Sequence, residues 1–543
     1  MFRIGLISDT HITHGGSFLE KVYDKGVNLI NRWDLKFVIH AGDLTDIGTL
    51  DDYELSISKL KQIKKPLFLI PGNHDSKNVG DQLWEEMIGE RSFVYEEPGF
   101  IMIGIDSSIP DMNEGRIGPK TLRWIKKQLE MANEEYYKIV VFHHQLLPIP
   151  HTGRERSVIQ DSGDVLKLLL DEDVQLVING HRHISNSYTV TDGSGEMVVI
   201  NAGTMSCKKT RYREQQSIAI LDIETDPLKR NKVILKVIPL RLDPITELTK
   251  YHVFAPKPQI TELKPFAKIV HISNTHIGKT DFDERAFTKA VHKINRSNPD
   301  IIIHTGDLTF SSRFEEFEMA KDLLADFIAP VMVIPGKRDM LSLGWELFPE
   351  YIGPLDPYFE NEKLVVKGIN SCLIEDQAGS IGRRTMKRVI EDFSKEKERL
   401  TITAFHHQLI PTPRTKHDTV LNDSGDVLAA FTTGNIDLIL HGFKHIGYAV
   451  QVEKSVISNA GTMSSFRYLT KARNTYNQIE VFRHEKGFYM IVKEIEVSSR
   501  KEKILGDFII NVKRVPYKDH KLAYETFQNK ENINLPIINQ KFQ

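Results

Sequence analysis

Cysteine is almost missing from this chain: its 543 residues contain two, Cys207 and Cys372, far apart and in no metal-like spacing. A disulfide framework is excluded, and a reducing, intracellular setting is expected. Charge of one sign is missing too, because 71 basic side chains meet 73 acidic ones for a formal net charge of −2. A protein that coats long nucleic acid carries a basic excess, so nucleic acid is an unexpected partner. No apolar run approaches the roughly 20 residues of a membrane span. The opening MFRIGLISDTH has neither the charged nor the apolar region of a secretory signal. The expectation is a cytoplasmic protein with no membrane partner.

What the chain does have is itself, twice. LISDTHI at 6–12 returns as HISNTHI at 271–277, and IHAGDLT at 39–45 returns as IHTGDLT at 303–309. IPGNHD at 70–75 returns as IPGKRD at 334–339, and FHHQLLPIP at 142–150 as FHHQLIPTP at 405–413. DSGDVL recurs at 161–166 and 423–428, and NAGTMS at 201–206 and 459–464. The offset shrinks from 265 residues (6 to 271) to 258 (201 to 459), as expected for a duplication with small loop deletions. A period this long means two whole domains, not a solenoid. The boundaries read as 1–247 for the first copy, 248–265 for a proline-marked linker, 266–497 for the second copy and 498–543 for a carboxyl-terminal extension without a counterpart. The two copies are expected to pack on each other.

Short β-branched runs at Phe2–Ile7, Phe37–His40, Leu67–Ile70, Phe100–Ile105 and Ile139–Phe142 read as strands. Helical patterns at Gly118–Glu130 and Asp164–Leu170 lie between such runs. The alternation indicates an α/β layered domain. Polar clusters fall just after the strands, where open α/β sheets place ligand-binding loops. In the first copy these are Asp9 with His11, Asp43, Asn73 with His74, His143 with His144, and His181 with His183. Carboxylate and amide oxygens suit hard divalent cations, and imidazole suits zinc, manganese and iron. A mixed set of this kind is what a two-metal site needs. In GHRH, two histidines two residues apart on an extended segment would project to the same side. A lone histidine at a strand end, such as His40, is more simply a hydrogen-bonded core residue.

DxH, GDLTD, GNHD, a strand-ending HH and GHRH, in that order, resemble the five signature blocks of calcineurin-like metallophosphoesterases. The resemblance implies a helix-flanked β-sandwich, α/β/β/α, for each copy. It implies one divalent ion on Asp9, His11, Asp43 and His183, and another on Asp43, Asn73, His143 and His181, with Asp43 as the bridge. The ions would be manganese, iron or zinc. His144 stays open as the alternative to His143. His74 resembles the histidine that protonates the leaving oxygen, with Asp75 as its orienting partner.

The second copy has lost part of this set. Asn274 stands where the first copy has Asp9, Lys337 for Asn73, Arg338 for His74 and Phe443 for His181, while His276, Asp307, His406 and His445 survive. It is expected to be catalytically inactive, with Lys337 taking the place of one cation's charge. Its role would be that of a scaffold or of a phospholigand-binding domain. HHQLLPIP and NAGT most resemble the class III cyclic-nucleotide phosphodiesterases. That resemblance implies hydrolysis of a small phosphodiester, with a phosphomonoesterase or a nuclease as alternatives. Arg154 and Arg156, in HTGRERS, are candidate phosphate contacts, and both are absent at the matching His417 and Thr419.

Overall fold

The computed structural model describes residues 2–511 except 153–157, 213, 226–230, 243–246, 255–263, 279–281, 374–377, 415–419, 467–472 and 485–486. The strands expected from the sequence form, at Phe2–Ile7, Phe37–His40, Leu67–Leu69, Phe100–Ile105 and Tyr137–Phe142, with helices at Gly118–Met131 and Ser162–Asp171. In the first copy a six-stranded sheet runs in the order Leu248–Val253, Asn231–Pro239, Ser217–Thr225, Phe2–Ile7, Phe37–His40, Leu67–Leu69. The second copy repeats it: Val331–Val333, Ile301–His304, Ala267–Ile272, Thr475–His484, Gly487–Glu496, Glu502–Asn511.

Two expectations about the edges change. Leu248–Val253, expected to open the linker, is an edge strand paired antiparallel with Asn231–Pro239. Glu502–Asn511, expected to lie in an extension without counterpart, pairs with Gly487–Glu496 and matches that edge strand in position. LTKYHV and EKILGDFIIN share no motif. An edge strand is held by backbone hydrogen bonds, which any non-proline sequence can make, so the equivalence is silent in the residues.

Opposite these sheets lies one continuous twelve-stranded sheet to which both copies contribute. Its seam is the antiparallel pairing of Asn186–Thr191 with Tyr448–Val452, through Val190↔Val452 and Thr191↔Gln451. Thr189 N donates to Glu453 Oε1 at 2.8 Å beside it. Between the sheets, each copy has its own core, such as Ile4, Phe37, Met102, Val141 and Ile178 in the first. On the outer face, Ile125, Leu129, Val165 and Leu169 share one core with Met386, Val389, Val427 and Phe431. Each such side chain stabilises by roughly 1.5–3 kcal/mol on burial, so the two copies are joined by a core as well as a sheet. The layers are helix, sheet, sheet, helix.

The contact between copies is reciprocal, as in a twofold dimer. His151 N donates to Asp426 Oδ1 at 2.8 Å, and the equivalent Arg414 N donates to Asp164 Oδ1 at 2.6 Å. A Cβ on Gly425 would stand 1.9 Å from the Ile149 carbonyl oxygen, and one on Gly163 would stand 2.2 Å from that of Thr412. Only glycine permits this approach. The second copy thus buttresses the loop that follows His143 and His144. No helix among the described residues is long and apolar enough to cross a membrane.

Candidate metal centre

Asp9 and His11 follow Phe2–Ile7, Asp43 follows Phe37–His40, Asn73 and His74 follow Leu67–Leu69, His143 follows Tyr137–Phe142, and His181 and His183 follow Leu176–Asn179. Within each sheet these strands run parallel to one another, so their carboxyl ends share one edge of the sandwich. Asp43 sits at the centre. Its Oδ2 lies 3.2 Å from His143 Nε2 and 3.6 Å from His11 Nε2, and its Oδ1 accepts from the His74 amide at 2.8 Å. On one side His11 Nε2 faces His183 Nε2 at 3.1 Å, and His183 Nε2 lies 3.2 Å from Asp9 Oδ1. On the other, His181 Nδ1 is 2.8 Å from Asn73 Oδ1. All seven side chains expected as ligands converge.

Asp9, His11, Asp43, His181 and His183 all adopt left-handed backbone, with φ of 51°, 47°, 54°, 74° and 57°. Non-glycine residues hold such angles only where the surroundings compel them, and such strain clusters at functional sites. GHRH is therefore not extended, a correction to the expectation of two histidines on one side. Its turn sends His181 toward Asn73 and His183 toward Asp9, one to each side of Asp43. Asp43 is also tightly covered, since a Cβ on Gly72 would lie 2.2 Å from its Oδ1.

Carbonyl oxygens orient the rings. His143 Nδ1 donates to Ala41 O at 2.7 Å and His183 Nδ1 to Lys209 O at 2.5 Å. Each leaves its Nε2 facing a carboxylate, the tautomer a metal ligand needs. His144 pairs instead through Nδ1 with Ser107 Oγ at 2.8 Å. It belongs to none of the groups of three ligating side chains whose donor atoms lie within 4.8 Å of one another, whereas His143 does. His40 is the core residue expected, buried with Nε2 3.0 Å from Thr10 Oγ1.

Burial pulls the His143 and His183 imidazoles down, but Asp43 and Asp9 outweigh it and hold them at about 9 and about 10. Burial would raise the Asp43 carboxyl, yet His143 and His74 keep it well below the usual range. Asp9 Oδ1 and His143 Nε2 are buried and meet only an ionic partner, His183 Nε2 and Asp43 Oδ2, each at 3.2 Å. Carboxylates, an amide oxygen and imidazoles crowded in this way need positive charge between them. The donor set fits divalent cations.

Asp75 does not orient His74, contrary to expectation. It accepts from Leu44 N, Thr45 N, Thr45 Oγ1 and Gly72 N at 3.0, 2.7, 2.9 and 2.9 Å, locking the GDLTD and GNHD loops together. Burial and the charge of Asp43 raise its carboxyl to about 6 against those bonds. His74 is oriented by Asp46, whose carbonyl accepts from its Nδ1 at 2.5 Å, while the Asp46 carboxylate holds His11 Nδ1 at 3.1 Å. Asp46 closes the GDLTD block without being one of the seven donors, so nothing in the sequence marks its role.

Three other neighbours were not anticipated. Lys77 Nζ lies 3.0 and 3.1 Å from the two ring nitrogens of His74. Cys207 groups with His11 and His183 despite its unpromising spacing. Arg182, buried between the two histidines of GHRH, donates from Nη2 to Thr152 O at 3.0 Å, tying them to the loop that the second copy buttresses. A signal was available for two of these, since the second copy replaces Lys77 with Leu341 and Cys207 with Ser465. Arg154, Arg156, His417 and Thr419 lie outside the described residues.

In the second copy, His276 Nε2 faces His445 Nε2 at 3.3 Å and His406 Nε2 lies 3.4 Å from Asp307 Oδ1. Asn274, His276, Asp307 and Phe443 keep left-handed φ of 54°, 50°, 55° and 67°. The Phe443 ring stands 5.5 Å from that of His406. Among the described residues, every group of three or more ligating side chains belongs to the first copy.

The family model for calcineurin-like phosphoesterases matches twice, over residues 2–185 and 267–446. A protein of Arcobacter nitrofigilis described as a probable glycerophosphodiester phosphodiesterase is 31% identical over 193 residues, 33% of this chain and 70% of its own length. A 3′,5′-cyclic-nucleotide phosphodiesterase of Nostoc is 27% identical over 153 residues, 28% of this chain and 57% of its own. A probable cyclic nucleotide phosphodiesterase of Psychrobacter is 28% identical over 195 residues, 33% of this chain and 55% of its own. The chain thus spans little more than half the length of the last two. Among solved structures, a purple acid phosphatase from yellow lupin seeds is similar with a TM-score of 0.36 and 10% identity, over 62% of this chain and 71% of that one. Two matches that together cover most of the chain place it in a family: this protein is a calcineurin-like phosphoesterase.

Proposed function

We propose that the first copy hydrolyses a small phosphodiester, such as a cyclic nucleotide or a glycerophosphodiester, using two divalent cations, and that the second copy is catalytically inactive. The observation that carries this is the facing of donor on donor around Asp43, His11 Nε2 to His183 Nε2 at 3.1 Å above all. Asp9, His11, Asp43 and His183 would hold one ion, and Asp43, Asn73, His143 and His181 the other. Two such ions, when bound, activate water as nucleophile and neutralise charge on the phosphoryl oxygens.

The protein's own groups do the rest. Asp46 fixes the His74 ring through Nδ1, so Nε2 is the atom left to give a proton to the departing oxygen. Lys77, within 3.1 Å of that nitrogen, places an ammonium where the phosphoryl group arrives and favours an anionic substrate. Arg182 and the carbonyls of Ala41 and Lys209 keep the imidazoles in place against substrate binding. The relatives named for diester substrates support the substrate class.

The test is an assay of manganese-loaded protein on bis-p-nitrophenyl phosphate, p-nitrophenyl phosphate, cyclic AMP, 2′,3′-cyclic AMP and single-stranded DNA. Cleavage of diesters, with little of the monoester or DNA, is the expected result. Preference for the monoester or for DNA overturns the substrate class. Asn73→Ala should remove activity far more than Lys337→Ala, and equal loss would mean that the active copy is misassigned.

A further inference from the structure

The second copy keeps the loop conformation of the first copy's site and cancels its negative charge. Across the aligned positions that differ, the first copy has the carboxylates of Asp9 and Asp46 and the ammonium of Lys77, where the second has Asn274, Phe310 and Leu341. Asn73 and His74 are answered by Lys337 and Arg338. With the shared aspartates Asp43 and Asp75 counted, four carboxylates face Lys77 and Lys209 in the first site. In the second, Asp307 and Asp339 face Lys337 and Arg338, with Arg338 Nε 3.9 Å from Asp307 Oδ2. A site of the first kind collects cations, and one of the second kind already holds its own positive charge.

Although Phe310, Leu341 and Phe443 are apolar, polar groups remain buried at the centre of the second site. Asn274 is fully buried with neither its Oδ1 nor its Nδ2 hydrogen-bonded, the buried His276 Nδ1 also lacks a hydrogen-bond partner, and His406 Nε2 meets only Asp307 Oδ1 at 3.4 Å. Buried polar atoms are paired as a rule, and an unpaired cluster calls for a binding partner. Arg338 is fixed at the mouth. Its backbone N donates to Asp307 Oδ1 at 2.8 Å, its Nη1 donates to Phe310 O at 3.2 Å, and its guanidinium lies 4.4 Å from the Phe310 ring centre. Asp46, which would repel an anion there, is the residue that Phe310 replaces.

We propose that the second copy is a metal-free binding site for a phosphate group, orthophosphate or the terminal phosphate of a monoester. Lys337 and Arg338 supply the positive charge that cations supply in the first copy, and Asn274 Nδ2 with the histidine nitrogens supplies neutral hydrogen bonds. A phosphate fits this mixture of charge and donors. The site deepens the reading of the second copy as inactive, and it does not depend on hydrolysis by the first.

The test is calorimetric titration of the full chain with inorganic phosphate, manganese-loaded and after chelation. The chelated chain is expected to keep one phosphate site, weakened about tenfold or more by Lys337→Ala with Arg338→Ala. The same double variant, loaded with manganese, should cleave bis-p-nitrophenyl phosphate at the unmodified rate, which certifies its fold. Lys337→Asn, carrying the first copy's own residue, provides a second check with the same expected direction. The proposal is overturned if the chelated chain binds no phosphate, if these variants bind it undiminished, or if mass spectrometry finds metal in the second copy. Failure of the unmodified chain to hydrolyse any ester overturns the reading of the first copy alone.

Discussion

Two copies of one fold, joined by a common sheet, differ most at the carboxyl ends of their parallel strands. In the first, Asp43 is ringed by four imidazoles, an amide and a second carboxylate. In the second, Asp307 keeps His406 at 3.4 Å, but Lys337 and Phe443 stand where two further donors would be. A protonated ammonium and a phenyl ring offer no lone pair to a metal, so a few substitutions separate the sites without disturbing the strands. The left-handed backbone survives at Asn274, His276, Asp307 and Phe443. The loop conformation is thus a property of the fold, and the chemistry is a property of the side chains placed on it.

The largest effect should come from the central carboxylates. Asp43→Asn should lower hydrolysis by about three orders of magnitude or more, as for removal of a bridging ligand, while Asp307→Asn should leave it within about twofold. Steady-state kinetics on bis-p-nitrophenyl phosphate checks both, and comparable losses would erase the distinction between copies. Elemental analysis sharpens it further. About two ions per chain are expected for a centre of this kind, and restoring Asn274→Asp, Lys337→Asn and Phe443→His together should raise the number. Four ions in the unmodified chain would show that the second copy still binds metal.

Acidity offers a subtler contrast. His143 and His183 in the metal-free site stand at about 9 and about 10, because Asp43 and Asp9 outweigh burial, so both are protonated at neutral pH. A metal must displace those protons, so its apparent affinity should rise with pH from 6 to 8, with about two protons released on loading. Calorimetry in buffers of different ionisation heat measures the release, and a pH-independent affinity would contradict it. The smallest effects concern the mirrored contacts between copies. Gly425→Ala and Gly163→Ala should each cost about 1–3 kcal/mol of stability, from overpacking against a carbonyl. Gly425→Ala alone should also lower hydrolysis, since it displaces the Ile149 loop that Arg182 ties to His181 and His183. Thermal melts paired with kcat would reveal equal functional loss if the interface were merely structural.

Much of the candidate site was legible because coordination chemistry restricts residue type: oxygen and imidazole donors after strands, repeated in order, leave few readings. The role of Asp75 was not legible, because a carboxylate beside a histidine in sequence points away from it in the fold, toward four backbone and hydroxyl donors. Asp46 and Lys77 reach His74 only through the turns of their loops, and Cys207 reaches His11 only when the NAGT segment folds over the first strand. The direction of each histidine in GHRH followed from left-handed backbone, which residue type alone does not announce.

The sequence by itself determined the duplication, the alternation of strand and helix, the donor set of one copy and the lysine, arginine and phenylalanine that replace donors in the other. These are matters of residue identity, and identity is what a sequence records. Tertiary structure decided that Asn186–Thr191 joins Tyr448–Val452 to make twelve strands one sheet, that the edge strands of the two copies correspond, and that Arg182 ties the site to the Thr152 loop, which the second copy buttresses. Those depend on backbone hydrogen bonds and on the close approach of distant loops. Nearly every sequence carries the same backbone groups, so nothing in the order of residues marks which of them will meet.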